Sequence, residues 1–256
     1  MMVSVCLTTY NGEAYIYRQI STILGQLNDT DEVLISDDGS SDNTLSLLKS
    51  FNDARIKILK HTPRNEKRYK FNLTTRNIEN AILHSKGDII ILADQDDEWL
   101  PNRINSAKKL LIKYDLVVND CEIINENNEP VAPSYFEKVN PSDSIIKNFV
   151  SSSYLGCCMA FNRKCLKYSL PFPSSPVPHD IWIGLIAKIF NSVYFSSEKV
   201  IRYRRHGSNL SASAEESKNS LTFKIQYRFI LLYAVCKRYF SIKFNLNENS
   251  TNNKIL

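Results

Sequence analysis

The sequence predicts an α/β fold built on a mainly parallel central sheet with helices on both faces. Three observations carry this. Apolar runs of strand length alternate with segments of helical periodicity from residue 2 to residue 93. The runs are rich in Val, Ile and Leu, as strands buried on both faces are. Each run ends in a polar turn of Thr, Asn or Asp, at the carboxyl edge where such sheets bind ligands.

The elements follow in order. Met2 to Thr9 alternates apolar and small residues as a first strand, turned by Tyr10-Asn11-Gly12. Ile16, Ile20, Ile23 and Leu24 recur at helical spacing, and Asn28-Asp29 ends that helix. Glu32 to Ser36 is a second strand, running into Asp37-Asp38-Gly39-Ser40-Ser41-Asp42, a turn and N-cap for a helix from Thr44 to Ser50. Arg55 to Leu59 is a third strand. A basic, proline-containing loop from His61 to Lys70 precedes a helix with Ile78, Ala81 and Ile82 on one face, stopped by Gly87. Asp88 to Ala93 is a fourth strand, and it delivers Asp94-Gln95-Asp96-Asp97-Glu98-Trp99.

Carboxylates crowded at a strand end repel one another and raise each other's pKa unless a cation lies between them. A divalent metal removes the conflict, and Mg²⁺ is usually held by one or two carboxylates together with substrate phosphates. Asp94 and Asp96 are the natural pair, since with Gln95 between them both turn toward one side of an extended loop. The bland alternative is a solvated acidic turn, against which stand the buried strand before it and Trp99-Leu100-Pro101 after it.

The second half is less regular. Asn102 to Lys113 reads as a helix, Leu116-Val117-Val118 as a strand, and Asn119 to Pro133 as a loop with little structure. Tyr154 to Phe161 reads as a strand packed on the first sheet. Four prolines between Pro171 and Pro178 stiffen a loop that hands His179-Asp180 to a helix carrying Ile181, Leu185, Ile186 and Ile189. The helix dipole favours Asp180 as an anion there. Strand-like Lys199 to Arg204 leads to Arg205-His206-Gly207-Ser208-Asn209. Leu221 to Phe244 reads as an amphipathic helix mixing Lys and Arg with Phe and Tyr, and the polar tail Asn245 to Asn253 as disordered.

Composition sets limits. At 256 residues, 43% hydrophobic and 23% charged, the chain is that of a globular protein with a full core. A net charge of +5 suits phosphate-bearing ligands or an anionic membrane surface, and no nucleic-acid motif accompanies it, so nucleic acid is not expected as a partner. The 6 cysteines form no CxxC pair and have no His at metal spacing, which predicts reduced, buried thiols in a reducing cytosol. The start of the chain shows no signal-like core, and no stretch reaches the about 18 apolar residues of a membrane span, so any membrane contact is expected to be peripheral.

Five motifs, in order, resemble those of the family 2 glycosyltransferases of the GT-A fold, over residues 2 to 210. They are Val5 to Glu13, Ser36 to Thr44, Asp94 to Trp99, His179-Asp180-Ile181-Trp182, and Tyr203 to Asn209. The likeness is to bacterial enzymes that build O-antigen and capsule repeats, including rhamnosyltransferases and glucosyltransferases. It implies a Rossmann-like sheet, a nucleotide-diphosphate sugar donor, Mn²⁺ or Mg²⁺, and inversion at the anomeric carbon. It also implies a donor-binding half (1–101), an acceptor-binding and catalytic half (102–214), and a C-terminal helix and tail (215–256).

The resemblance implies roles as well. Asp37 takes the place of the carboxylate that accepts hydrogen bonds from the base, with Asp38 beside it, and Thr9-Tyr10 packs on base and ribose. Asp94 contacts the ribose or the metal, and Asp96 ligates the metal. Asp180 matches the general base, which takes the acceptor hydroxyl proton in a one-step displacement without a second nucleophilic carboxylate. His206, with Arg204 or Arg205, resembles the late basic motif at the diphosphate, His206 also serving as a metal ligand. Arg76 and the basic loop are placed at the nucleotide, although most of such a charge run is solvated surface. Trp99, His179 and Trp182 are placed at the acceptor. The family often has Glu-Asp where this chain has His179-Asp180, a variant typical of the rhamnosyltransferase-like branch. Three roles stay open for His179: tuning the base, touching the acceptor, or capping the helix. Cys157-Cys158 reads as core. No GxGxxG or P-loop run is present, so the diphosphate needs the metal and basic side chains.

The implied activity is hexosyl transfer from UDP-glucose or a similar donor to an undecaprenyl-diphosphate-linked saccharide in surface polysaccharide assembly, in the bacterial cytoplasm at the inner face of the membrane. The alternatives are dTDP-rhamnose-dependent rhamnosyl transfer and a catalytically inactive nucleotide-sugar binder. Two readings of the terminal helix, 221–244, also stand: it lies on a bilayer, or it packs its aromatics on the domain or a second subunit.

Overall fold

The computed structural model describes residues 1–62, 68–207, 209 and 220–252, with side chains as far as Phe244. The first half alternates as the sequence predicts: β1 (Val3–Thr9), α1 (Ile16–Leu24), β2 (Glu32–Asp37), α2 (Thr44–Ser50), β3 (Ile56–Lys60), α3 (Phe71–His84) and β4 (Ile89–Asp94). Every residue of β1 and β2 is buried, as strands covered on both faces must be. The four strands are parallel, in the order β3-β2-β1-β4. Their register decides where the chemistry lies. Thr8 pairs with Asp94, and Thr9 with Asp37, so three motifs distant in sequence end side by side at one carboxyl edge.

The second half is β5 (Glu98–Trp99), α4 (Arg103–Leu110), β6 (Leu116–Asn125), β7 (Pro130–Ala132), α5 (Phe136–Val139), α6 (Ile145–Val150), a 3-10 turn (Gly156–Cys158), β8 (Met159–Asn162), α7 (Arg163–Ser169), α8 (His179–Phe190), β9 (Val193–Arg205) and α9 (Leu221–Asn252). Beyond β4 the sheet continues β8-β6-β9-β5, with β8 antiparallel to both neighbours, β6 and β9 parallel, and β5 antiparallel on β9. β4 and β5 are thus four strand spacings apart in the sheet, about 19 Å if it were flat. Only Gln95, Asp96 and Asp97 separate them in the chain, a reach of about 14 Å at most from Asp94 to Glu98. The sheet therefore curls until the acidic loop closes the gap.

Several expectations are corrected. Asn119 to Pro133 is largely strand: β6 continues through Asn125 and hairpins with β7, because Cys121, Ile123 and Ile124 are buried while the Asn and Glu residues gather at the turn. The strand expected over Tyr154 to Phe161 is confined to β8, preceded by the 3-10 turn. β9 starts at Val193, six residues earlier than Lys199. Short helices α6 and α7 were not expected; Ser144 and Asn162 cap them, their side chains accepting from Lys147 N and Lys164 N. The polar tail is helical through Asn252, since no Gly or Pro interrupts the chain after Leu221, and Asn253 lies outside the described residues.

α9 packs one face on the domain. Leu231 and Ala234 are buried, Phe223 meets Tyr69, Tyr227 meets Phe71, and Tyr239 stacks on Phe190. Arg238 lies over the Trp182 ring and donates to the carbonyls of Tyr168, Leu170 and Pro171.

Candidate active site

The acidic loop is built by hydrogen bonds to both sides. Gln95 ties it to the β1 turn: its Oε1 accepts from Thr9 Oγ1 at 2.7 Å and from Tyr10 N at 2.9 Å, and its Nε2 donates to Tyr10 O at 3.2 Å. Gly12 is needed there, because a Cβ would lie 2.4 Å from Gln95 Oε1. On the other side Arg204 is buried and fully engaged. Its backbone N donates to Asp97 Oδ1, Nε to Asp96 O at 2.8 Å, Nη1 to Asn128 Oδ1 at 2.7 Å and Asn125 O at 3.2 Å, and Nη2 to Glu98 Oε1 at 3.2 Å. Tyr15 lies between Arg204 and His206, with ring or guanidinium centres 5.0 Å away on each side. Beyond it opens a cavity of about 480 Å³ lined by Tyr15, Arg18, Glu98, Asn128 and Arg202.

His206 Nε2 sits 2.8 Å from Asp96 Oδ2, which also accepts from Asn209 Nδ2 at 2.9 Å. The expected metal ligands Asp96 and His206 are therefore together. Asp94 faces another way: Asp94, Asp97 and Cys157 offer ligand atoms all within 4.8 Å of one another. Burial, then the charges of Asp96 and Asp180, push the Asp94 carboxyl up to about 7. Burial and the charges of Asp96 and Asp94 raise Asp97 well above the carboxylate range, and its Oδ2 is buried without a hydrogen-bond partner. Mutual repulsion and an orphaned oxygen are what a divalent cation corrects, so this donor set fits one. Beneath the loop Cys121, Cys157 and Cys158 are all buried, and buried Arg103 donates to Cys157 O at 2.7 Å.

Asp180 enters from the opposite half. Pro178 ends the stiff loop, and Thr75 on α3 pins the start of α8, donating to Val177 O at 2.9 Å and accepting from His179 N at 3.1 Å. Asp180 is in the first helical turn, where burial raises its carboxyl, and its charge is felt at Asp94. His179 packs against Gly156, where a Cβ would lie 2.7 Å from its Nε2, and burial lowers the imidazole.

Other predicted residues are placed differently. Asp37 is buried and holds its own turn, accepting from Gly39 N, Ser40 N and Ser40 Oγ. The more open carboxylate is Asp38, 2.5 Å from His61 Nδ1 and raised by burial. Tyr10 is 55% exposed and open to a ligand. Arg76 is engaged within the chain: it pairs with Glu79 and donates to Pro173 O, clamping α3 to the proline loop. Arg204 holds the loop through neutral and acidic partners of its own chain. Trp182 is core, its indole N–H donating to Ser169 O, and Trp99 is buried with Arg103 over its ring. Of the basic loop, residues 63–67 lie outside the described residues. The sequence assigns no role to Gln95, Tyr15, Glu98 and Asn209, because the contacts that define them are long-range, whereas His61 begins the basic loop expected at the nucleotide.

The family model described as Glycosyl transferase family 2 matches residues 4–169. The chain is 28% identical over 189 residues to the Escherichia coli UDP-Glc:alpha-D-GlcNAc-diphosphoundecaprenol beta-1,3-glucosyltransferase WfgD, covering 72% of this chain and 70% of that one. Its fold is similar to S. aureus TarS 1-349 in complex with UDP-GlcNAc, with a TM-score of 0.64 at 18% identity, covering 94% of this chain and 73% of that one. In another TarS 1-349 structure it spans 60% of the chain. It is also similar to glucosyl-3-phosphoglycerate synthase from Mycobacterium tuberculosis in complex with Mn²⁺, UDP and phosphoglyceric acid, with a TM-score of 0.58 at 18% identity over 91% of this chain and 78% of that one.

Proposed function

Because this chain belongs to glycosyl transferase family 2, and so is a glycosyltransferase, we propose that it transfers a hexosyl residue with inversion from a nucleotide-diphosphate sugar, UDP-glucose or a close analogue, to a lipid-linked saccharide. The observation that carries this is the meeting of two halves: Asp180, at the head of α8, lies within electrostatic reach of Asp94 at the tip of β4. In this reading residues 1–101 hold the donor and 102–214 the acceptor. The Thr9-Tyr10 turn and Asp38 receive the nucleoside, and Asp180 takes the proton from the attacking hydroxyl. Burial raises its carboxyl, which makes it a stronger base than an exposed aspartate.

In this reading Asp96 and His206 are paired with each other, and Asp94 and Asp97 would hold a divalent cation, Mn²⁺ or Mg²⁺. When bound it supplies Lewis-acid stabilisation to the departing diphosphate. Gln95 keeps the nucleoside turn and the acidic loop in one frame, and Arg204 fixes the loop from behind.

The WfgD name supports UDP-glucose as donor and an undecaprenyl-diphosphate-linked acceptor. Such an acceptor places the enzyme at the cytoplasmic face of a bacterial membrane, with contact through 221–244. His179 in place of the usual Glu favours dTDP-rhamnose as the second donor to try. A donor-hydrolysis screen with Mn²⁺, followed by Asp180→Asn, tests the reading. Donor binding should survive while transfer falls about 10²–10⁴-fold; unchanged transfer would remove Asp180 from the chemistry.

A further inference from the structure

We propose that α9 and α6 together form a docking surface for an anionic lipid bilayer. This rests on the reading above that the acceptor is lipid-linked, and it names the surface that meets the lipid. The face of α9 opposite the domain carries Leu221, Ile225, Phe229, Tyr233, Phe240 and Phe244, all exposed, with Phe229 at 66% and Tyr233 at 65%. Counted at 3.6 residues per turn they fill one arc of about 140°. The inner aromatics, Phe223, Tyr227 and Tyr239, are already packed, so the outer ones are not needed for the fold.

The arc is widened by a second element. Arg228 donates to Val150 O and fastens the end of α6 to the flank of α9. Ile146 and Val150, one turn apart on α6, are 73% and 55% exposed.

Charge chooses the occupant. Between Leu221 and Phe244 the chain has no Asp or Glu; Arg228 and Arg238 are tied to backbone carbonyls, and Lys237 and Lys243 are exposed. Asp143, just before α6, is paired with Lys188 at 2.8 Å. A second copy would set like cations against one another across a two-fold, whereas an anionic headgroup layer attracts them. Among the described residues no helix is long and apolar enough to cross a membrane, so α9 lies on the surface with its lysines reaching past the apolar arc.

The docking face and the base are on opposite sides of one helix. Arg238, on the inner face of α9, lies over the ring of Trp182, two residues from Asp180 at the head of α8. A helix with side chains is about 10–12 Å thick. The head of α8 therefore lies about one helix thickness behind the docking face.

The test is co-flotation of the full chain with vesicles of phosphatidylglycerol and phosphatidylcholine, against phosphatidylcholine alone. Two exposed-site variants accompany it, Phe229→Ser with Phe240→Ser and Lys237→Glu with Lys243→Glu, each with its melting temperature. The parent should float only with the anionic vesicles, and each variant should lose about tenfold or more of that binding with its melting temperature unchanged. A parent that stays with the soluble fraction, variants that float like it, or a parent dimer that the Phe pair dissolves would each overturn the proposal. Transfer to a short, water-soluble acceptor separates this from the reading it rests on. Flotation without any transfer leaves docking intact and defeats the function, whereas transfer without flotation does the reverse.

Discussion

Replacing Arg204 with Met separates two roles for this residue. As a leaving-group cation it would matter to turnover; as the structure has it, it matters to the loop. Met keeps the stem over Tyr15 but removes four side-chain hydrogen bonds, to Asp96 O, Asn128, Asn125 O and Glu98. Breaking a buried ion pair from one side costs about 3–5 kcal/mol. Arg18 at 3.4 Å and Arg202 at 3.8 Å still attend Glu98, so the lower end applies, about 3 kcal/mol. For a chain of this size that lowers the melting temperature by about 6–12 °C. Adding Glu98→Gln to the variant should return about 1–2 kcal/mol, because much of the loss is the stranded carboxylate. Thermal and urea unfolding of the four proteins of the cycle measure this. A variant that melts within about 2 °C of the parent yet loses turnover would place Arg204 on the diphosphate and refute the clasp.

Two further outcomes follow from the site. Asp94 is raised from an ordinary 3.8 to about 7, so in the metal-free protein its contribution to stability is complete below 3.8 and is lost as pH rises through about 7. A cation needs the anion, so Mn²⁺ should bind more tightly at about pH 8 than at about pH 6 and release a proton near neutrality, read by calorimetry in buffers of different ionisation enthalpy. Gly12→Ala forces the Gln95 amide off Thr9 and Tyr10, since the new Cβ would lie 2.4 Å from Oε1 and 2.8 Å from Cδ. Donor KM should rise about tenfold with melting almost unchanged, and an unchanged KM would mean the bridge does not position the nucleoside turn.

The parallel half was legible because each of its strands is a short apolar run and each of its turns carries the residues the turn needs. The start of α8 was legible too, since Pro178 cannot sit deep in a helix. β8 was not. Four residues after a 3-10 turn show no period of their own, and the antiparallel slot between β4 and β6 is a tertiary choice. The role of Arg204 was hidden because alternation along β9 does not say which cation points inward. Two contacts within the chain had a signal. Trp182, Leu185, Ile186 and Ile189 recur at three and four residues, the spacing of a core face. Arg76 sits three residues before Glu79, the distance at which a helix pairs its own charges.

The curl of the sheet has one more implication. Three residues bridge strands that would stand four places apart in a flat sheet, so the acidic loop acts as a hasp, latching the two ends of the wall at its rim. Freeing it means flattening the wall itself. The reactive carboxylates are therefore the stationary side of the cleft, and whatever shift admits a sugar and lets a nucleotide out must come from the segments facing them.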